Sequence, residues 1–191
     1  MKHDRCYAVT RRQTEAPVFN YPTVPGLNPP ALAKDRNFMG AVWQRVESYI
    51  AYRFVPRAVT WLIDGPGDFV PPLTPVTITK IERWDDTGDT PTYEEITAPA
   101  TADGGYRLCR CQLYRFTGTA GADDPIPLAI QQAVARLANY VACPPGKPGA
   151  SVESYTLGGD LMQRIERNPA HMAMALQNSG AADLLRPFRR I

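Results

Sequence analysis

The 191-residue sequence carries few groups able to move protons or attack a substrate. Its two histidines, His3 and His171, both sit in terminal segments. Acid–base and nucleophilic catalysis need a titratable group held by an orienting partner. A Ser-His-Asp or Cys-His site would therefore have to be built from the chain ends, and the expectation is that the chain is not an enzyme. The four cysteines are Cys6, Cys109, Cys111 and Cys143. Structural zinc sites usually come as two close pairs of ligands, whereas here one tight pair stands beside two lone residues. Ordinary thiols on a half-buried strand are the favoured reading, and a small thiol or metal protein built around Cys109 and Cys111 is the alternative. Cys109 and Cys111 on one strand would point the same way and are badly placed to bridge each other.

Two other segments invite chemistry without meeting its rules. Between Glu82 and Asp103 lie Asp85, Asp86, Asp89, Glu94 and Glu95, with Arg83 as the single cation. A calcium loop starting at Asp85 would need Glu at its twelfth position, where this chain has Ile96, so the segment reads as a charged hairpin tip. Leu157-Gly158-Gly159-Asp160 lacks the spacing of a phosphate loop and reads as a turn. No dinucleotide fingerprint is present, and neither cofactor nor metal is expected. The last segment, 161–191, is basic: Arg164, Arg167, Arg186, Arg189 and Arg190 stand against Glu166 and Asp183. Leu184, Leu185 and Phe188 are interleaved with those arginines, as in an interface anchor.

The elements around these residues follow from periodicity. Residues 1–30 hold Pro17, Pro22, Pro25, Pro29 and Pro30 without a helical pattern, which predicts an extended arm. Over 31–54, Phe38, Met39, Val42, Trp43, Val46, Tyr49 and Ile50 recur at helical spacing. Arg36, Gln44, Arg45, Glu47 and Ser48 fall on the other side, and Pro56 is the expected stop. Residues 57–119 read as β-rich: Val59, Trp61 and Ile63 alternate, and Asp64-Gly65-Pro66-Gly67 forces a turn. A change of phase between Ile78 and Ile81 predicts a bulge. Tyr93 to Thr97 reads as a short strand, and one last strand runs from Gly105 through Phe116. A second helix over 125–142 is predicted to be capped by Asp124 with Pro125 at its first position. Ile126, Ile130, Val134, Leu137 and Val141 mark its buried face. Residues 144–160 read as a linker, and Asn168-Pro169 as the start of a helix carrying Met172, Leu176 and Leu184.

Composition bounds the function classes. Hydrophobic residues make up 44% and charged residues 21%, and the net charge is +2. Such balance excludes a polycation whose partner is bulk nucleic acid. The 19 prolines are about twice the usual share of about 5%. No apolar run reaches the roughly 18 residues of a membrane helix, and the polar stretch from Met1 to Glu15 does not read as a secretory core. Four scattered cysteines do not read as a secreted disulfide scaffold, so synthesis in a reducing cytoplasm is expected. The organisation expected is an arm (1–30), a helix–β–helix core (31–143), and a linker with a docking segment (144–191).

The order of these features resembles the head–tail connector, or adaptor, proteins of long-tailed phages, and in particular the adaptors of alphaproteobacterial gene transfer agents. The resemblance runs from about residue 36 to 191. It rests on Val46-Glu47-Ser48-Tyr49-Ile50, Trp61-Leu62-Ile63, the Pro-rich lead into Val76-Thr77-Ile78-Thr79-Lys80-Ile81, and the acidic turn at Asp85 to Asp89. Tyr114-Arg115-Phe116-Thr117-Gly118-Thr119-Ala120-Gly121 then precedes the helix at Ile126-Pro127-Leu128-Ala129, and the ending Leu184-Leu185-Arg186-Pro187-Phe188-Arg189 matches the family's close. The arm is longer than the family's, and Pro144, Pro145 and Pro148 rebuild the turn after the second helix.

The resemblance implies an α+β fold: a helical bundle with an inserted β-rich region, an extended Pro-rich N-terminal arm and a basic C-terminal tail. It implies a structural subunit of a ring, typically of twelve copies, beneath the portal of a virion or phage-like particle. Implied partners are other copies of the chain, the portal protein, the stopper or head-completion protein, and double-stranded DNA passing without sequence specificity; no membrane is expected. Leu184, Leu185, Arg186, Pro187, Phe188, Arg189 and Arg190 are the implied portal contacts. Val42, Trp43, Val46, Tyr49, Ile130, Val134 and Leu137 are the candidate residues for packing between subunits. A DNA-binding module of such a particle is the alternative to the ring subunit.

Overall fold

The structure is a computed structural model that describes residues 7–24, 36–88, 90–142, 152–156, 162–166 and 172–189. The chain is mixed α and β, and it divides into two units. One lies within 1–18 and 51–124, the other within 19–50 and 125–191.

The first unit is a sheet with a small second layer. Its strands are β1 (Val9–Glu15), β2 (Arg57–Asp64), β3 (Gly67–Phe69), β4 (Val76–Asp85), β5 (Thr92–Glu95), β6 (Tyr106–Leu108) and β7 (Leu113–Ala120). Five of them form an antiparallel sheet in the order β1-β2-β7-β4-β5, while β3 pairs with β6. Alternation on β2 turns Val59, Trp61 and Ile63 to one face, and Tyr114 and Phe116 of β7 share that face. The β3–β6 pair covers it. Phe69 lies 4.8 Å from Phe116 and 6.1 Å from Trp61 between ring centroids, and Leu73, Ala98 and Leu108 complete the cluster. Each fully buried large side chain contributes about 1.5–3 kcal/mol, so this aromatic layer is the unit's core.

The second unit holds α1 (Arg36–Ile50), α2 (Leu128–Ala142), the short helices α3 (Ala175–Asn178) and α4 (Ala181–Leu185), a 3-10 turn over Arg186–Phe188, and the hairpin of β8 (Val152–Thr156) with β9 (Met162–Glu166). Val42, Trp43, Val46 and Ile50 are buried on α1, and Ile130, Ala133, Val134, Leu137 and Ala138 on α2. The alanines of α2 let Leu176 and Leu185 pack closely. Tyr21 stacks on Trp43 with the rings 4° from parallel, and its hydroxyl donates to Glu47 Oε2 at 3.2 Å. Trp43 Nε1 donates to the Pro22 carbonyl at 3.2 Å.

Several sequence expectations change. The arm is extended, but Val9–Glu15 is a strand of the main sheet, so that sheet is not simply inserted between two helices. Glu47, expected on the polar side of α1, is buried. The first helix ends at Ile50 rather than at Pro56: Ala51 turns to a φ of 57°, and its carbonyl accepts from Thr74 N–H at 3.1 Å. The second helix starts three residues late. The Pro127 carbonyl accepts from the N–H groups of Ile130 and Gln131 at 3.0 and 3.2 Å, leaving Asp124 and Pro125 ahead of the helix. Val141 is only half-buried. The strand expected from Gly105 through Phe116 is two strands in different sheets. Tyr114 Oη lies 3.2 Å from Arg110 N–H and 3.3 Å from the Arg110 carbonyl, which folds Cys109–Gln112 into a loop. The 144–160 linker holds β8. The expected helix start at Asn168-Pro169 lies outside the described residues, and Met172 stands in an exposed turn. The bulge expected between Ile78 and Ile81 is present, between Ile78 and Lys80.

Gly118 lets β7 approach β4 closely. A Cβ there would lie 2.3 Å from the Thr77 carbonyl oxygen, which is backbone and cannot swing away. Gly118→Ala is expected to lower stability by about 1–3 kcal/mol, measured by chemical denaturation. A variant as stable as the parent would show that the β4–β7 spacing is soft.

Candidate functional site

The candidate packing residues fill the chain's own helical core. Val42, Trp43, Val46, Ile130, Val134 and Leu137 are all buried within this one chain. Tyr49 is half-buried, with the Arg189 guanidinium 5.4 Å from its ring centroid.

The candidate docking segment splits in two. Leu185 is fully buried in the helical unit and is corrected from a docking to a core residue. Leu184 is half-buried. Arg186, Pro187, Phe188 and Arg189 are exposed, with Phe188 at 39% and carried on the 3-10 turn. Arg190 lies outside the described residues. The preceding turn is tied down by Arg45, whose Nη2 donates to the Met172 and Ala173 carbonyls at 2.8 and 3.0 Å. An apolar ring flanked by two exposed guanidiniums can bury the ring while the arginines pair with carboxylates.

The thiols of Cys109 and Cys111 are free and exposed in a loop, not on the half-buried strand expected of them. Among the described residues, no group of three or more His, Cys, Asp or Glu is placed to hold a metal ion. His3, His171, Cys6, Cys143, Arg167 and the Leu157–Asp160 turn lie outside the described residues.

The sequence reading missed two charged clusters in the sheet unit. On the core side, Glu15 of β1 accepts from Arg53 Nε and Nη2 at 2.6 and 2.8 Å, and Arg57 Nη1 stands 3.7 Å away. Hydrogen bonding by Arg53 holds the Glu15 carboxyl below its ordinary range, although burial acts the other way. On the opposite face, Glu82 is buried. Arg115 Nε donates to its Oε2 at 2.6 Å, and Lys80 Nζ stands 2.8 Å from its Oε1. The Arg115 guanidinium also lies 3.8 Å from the Tyr93 ring centroid. These donors, Arg115 first and Lys80 second, lower the Glu82 pKa from 4.5 to about 2. The only sequence signal for this pair is the in-phase position of Glu82 and Arg115 on neighbouring strands, and phase is visible only once the strands are paired.

The whole-chain fold has counterparts among solved structures. A chain from the neck of an empty gene transfer agent particle, computed with C6 symmetry, superimposes with a TM-score of 0.53 at 17% identity, covering 94% of this chain and 96% of that one. A chain from the virion of a native gene transfer agent particle gives 0.52 at 16% identity, covering 91% and 85%. In fold, the chain is similar to these particle proteins. No protein-family model matches the chain, and no curated protein sequence matches it.

The Glu82 cluster predicts an acid limb. A carboxyl with a folded pKa of about 2 against an ordinary 4.5 stabilises fully above the ordinary value and loses that contribution as pH falls through about 2. Glu82→Gln is expected to be less stable than the parent at neutral pH, with the gap closing as pH falls from 4.5 towards 2. Denaturation midpoints measured across pH check this; a gap independent of pH would contradict it.

Proposed function

We propose that the chain is a structural head–tail adaptor of a gene transfer agent or phage-like particle. In this reading its copies form a ring, a dodecamer in the family it resembles, beneath the portal. The ring extends the DNA channel and links the portal to the stopper and tail. Double-stranded DNA passes through without being read, and the near-neutral charge suits a lining that must not hold it. The protein is made in the bacterial cytoplasm and works in the particle, at the head–tail interface. It does so without a catalytic group or cofactor.

The observation that supports this most strongly is the likeness over almost the full length of both chains to a gene transfer agent neck chain. The order of motifs along residues 36–191, ending in Leu184-Leu185-Arg186-Pro187-Phe188-Arg189, is consistent with it. Within the ending, the exposed Arg186, Pro187, Phe188 and Arg189 are the portal contact in this reading, with Leu184 at its edge and Leu185 anchoring the segment from inside.

The test uses cells that make the particle. Replacing Arg186, Phe188 and Arg189 together by Ala is expected to leave the purified chain with its parental melting temperature. The same variant should be absent from purified particles, and heads should accumulate without tails. Normal incorporation of the triple variant would remove the docking assignment. Tailed particles in cells lacking the chain altogether would overturn the adaptor reading.

A further inference from the structure

The five-stranded sheet has two open edges. β1 ends its order on one side and β5 on the other, and among the described residues no strand pairs with the far side of either. Soluble proteins usually guard such edges with charge or bulges. Both devices are present, and their arrangement is not symmetric.

The edges carry opposite charge. β1 bears Arg11 and Arg12, and β5 bears Glu94 and Glu95; all four residues are exposed. Arg11 is paired with Asp64 and Glu94 with Arg83. Among the described residues Arg12 has no ion-pair partner, and Glu95 has Lys80 at 3.8 Å. The registers place these two residues in one row across the sheet. Arg12 lies opposite Leu62, Leu62 opposite Arg115, Arg115 opposite Glu82, and Glu82 opposite Glu95. Directly opposite residues share a face. The row therefore runs from a cation at one edge to an anion at the other.

We propose that copies of this chain join head to tail through these edges, β1 of one copy lying parallel beside β5 of the next, with Arg12 paired to Glu95 of that next copy. The proposal rests on the ring reading and supplies its contact surface. Direction agrees. Five strands alternate, so β1 and β5 run the same way. A neighbour turned by about 60° or less, as in a ring of six or more copies, offers its β1 roughly parallel to β5.

Charge also disfavours competing assemblies. A two-fold dimer through β1 centred on Arg11 and Arg12 would set these residues of one copy against those of the other, and one through β5 centred on Glu94 and Glu95 would set the carboxylates together. Like charges facing each other across strands are destabilising. The edges thus repel themselves and attract each other, which favours a heterologous contact that closes as a ring.

Sedimentation velocity of the full-length chain over a concentration series at low ionic strength tests this. The parent is expected to form species larger than a dimer. Arg12→Glu and Glu95→Arg alone should each weaken association on the order of tenfold, and the double variant should restore it. Unchanged melting temperatures show that the variants fold. Parent-like association of both single variants, or failure of the double swap to rescue, overturns the edge contact and leaves the ring reading standing on other surfaces. A parent that never exceeds a monomer overturns the edge contact as a self-sufficient interface and leaves a ring assembled only on the portal. A parent that stops at a dimer overturns the head-to-tail contact.

Discussion

The Glu15 carboxylate, gripped by Arg53 and flanked by Arg57, is the interaction on which the sheet unit depends. Both guanidiniums are buried. Removing the counter-charge of a buried arginine costs on the order of 3–5 kcal/mol, so docking β1 beside the residues that leave α1 stabilises both segments. Gln13 adds to the attachment by accepting from Trp61 Nε1 at 2.9 Å, at the centre of the aromatic layer. A segment that composition describes as an arm is thereby held as a strand. Its open edge, and the row of side chains beginning at Arg12, exist only because of that attachment.

The same physics shapes the opposite face. Glu82 is buried there beside Arg115 and Lys80, and its charge is balanced by two cations, one of which stacks on the Tyr93 ring. The two cations stay partly exposed while the carboxylate between them is buried. In the helical unit the division is by residue type. Leu176 and Leu185 complete the core, and the polar and aromatic groups of the 3-10 turn remain outside. Both units bury what holds them together and expose what could meet another molecule.

Periodicity made the local elements legible. The apolar spacing of α1 and α2, the alternation of Val59, Trp61 and Ile63, and the bulge before Lys80 are short-range properties written directly into the order of residues. Long-range pairing was not legible. Nothing near residues 9–15 signals that they belong beside residues 59–64, because the partner of Glu15 is Arg53, across a helix in sequence. The strand expected from Gly105 through Phe116 failed for a related reason: the Tyr114 hydroxyl and its contacts with Arg110 break it, and no local pattern announces them. The docking segment was half legible. Alternating Leu and Arg marked it as an anchor, but which leucine faces inward depends on α2, so Leu185 was misassigned. The charged row across the sheet is a property of register and has no counterpart in the linear order.

The central claim is that β1 is a true strand of the sheet, held there by Glu15. Amide hydrogen exchange of the full chain, parent beside Glu15→Ala, tests it most directly. The account predicts protected amides over Val9–Glu15 in the parent. In the variant that protection should fall, while Trp61 and Phe116 in the neighbouring strands stay protected. Exchange of these residues at unstructured rates in the parent, or undiminished protection in the variant, would contradict it.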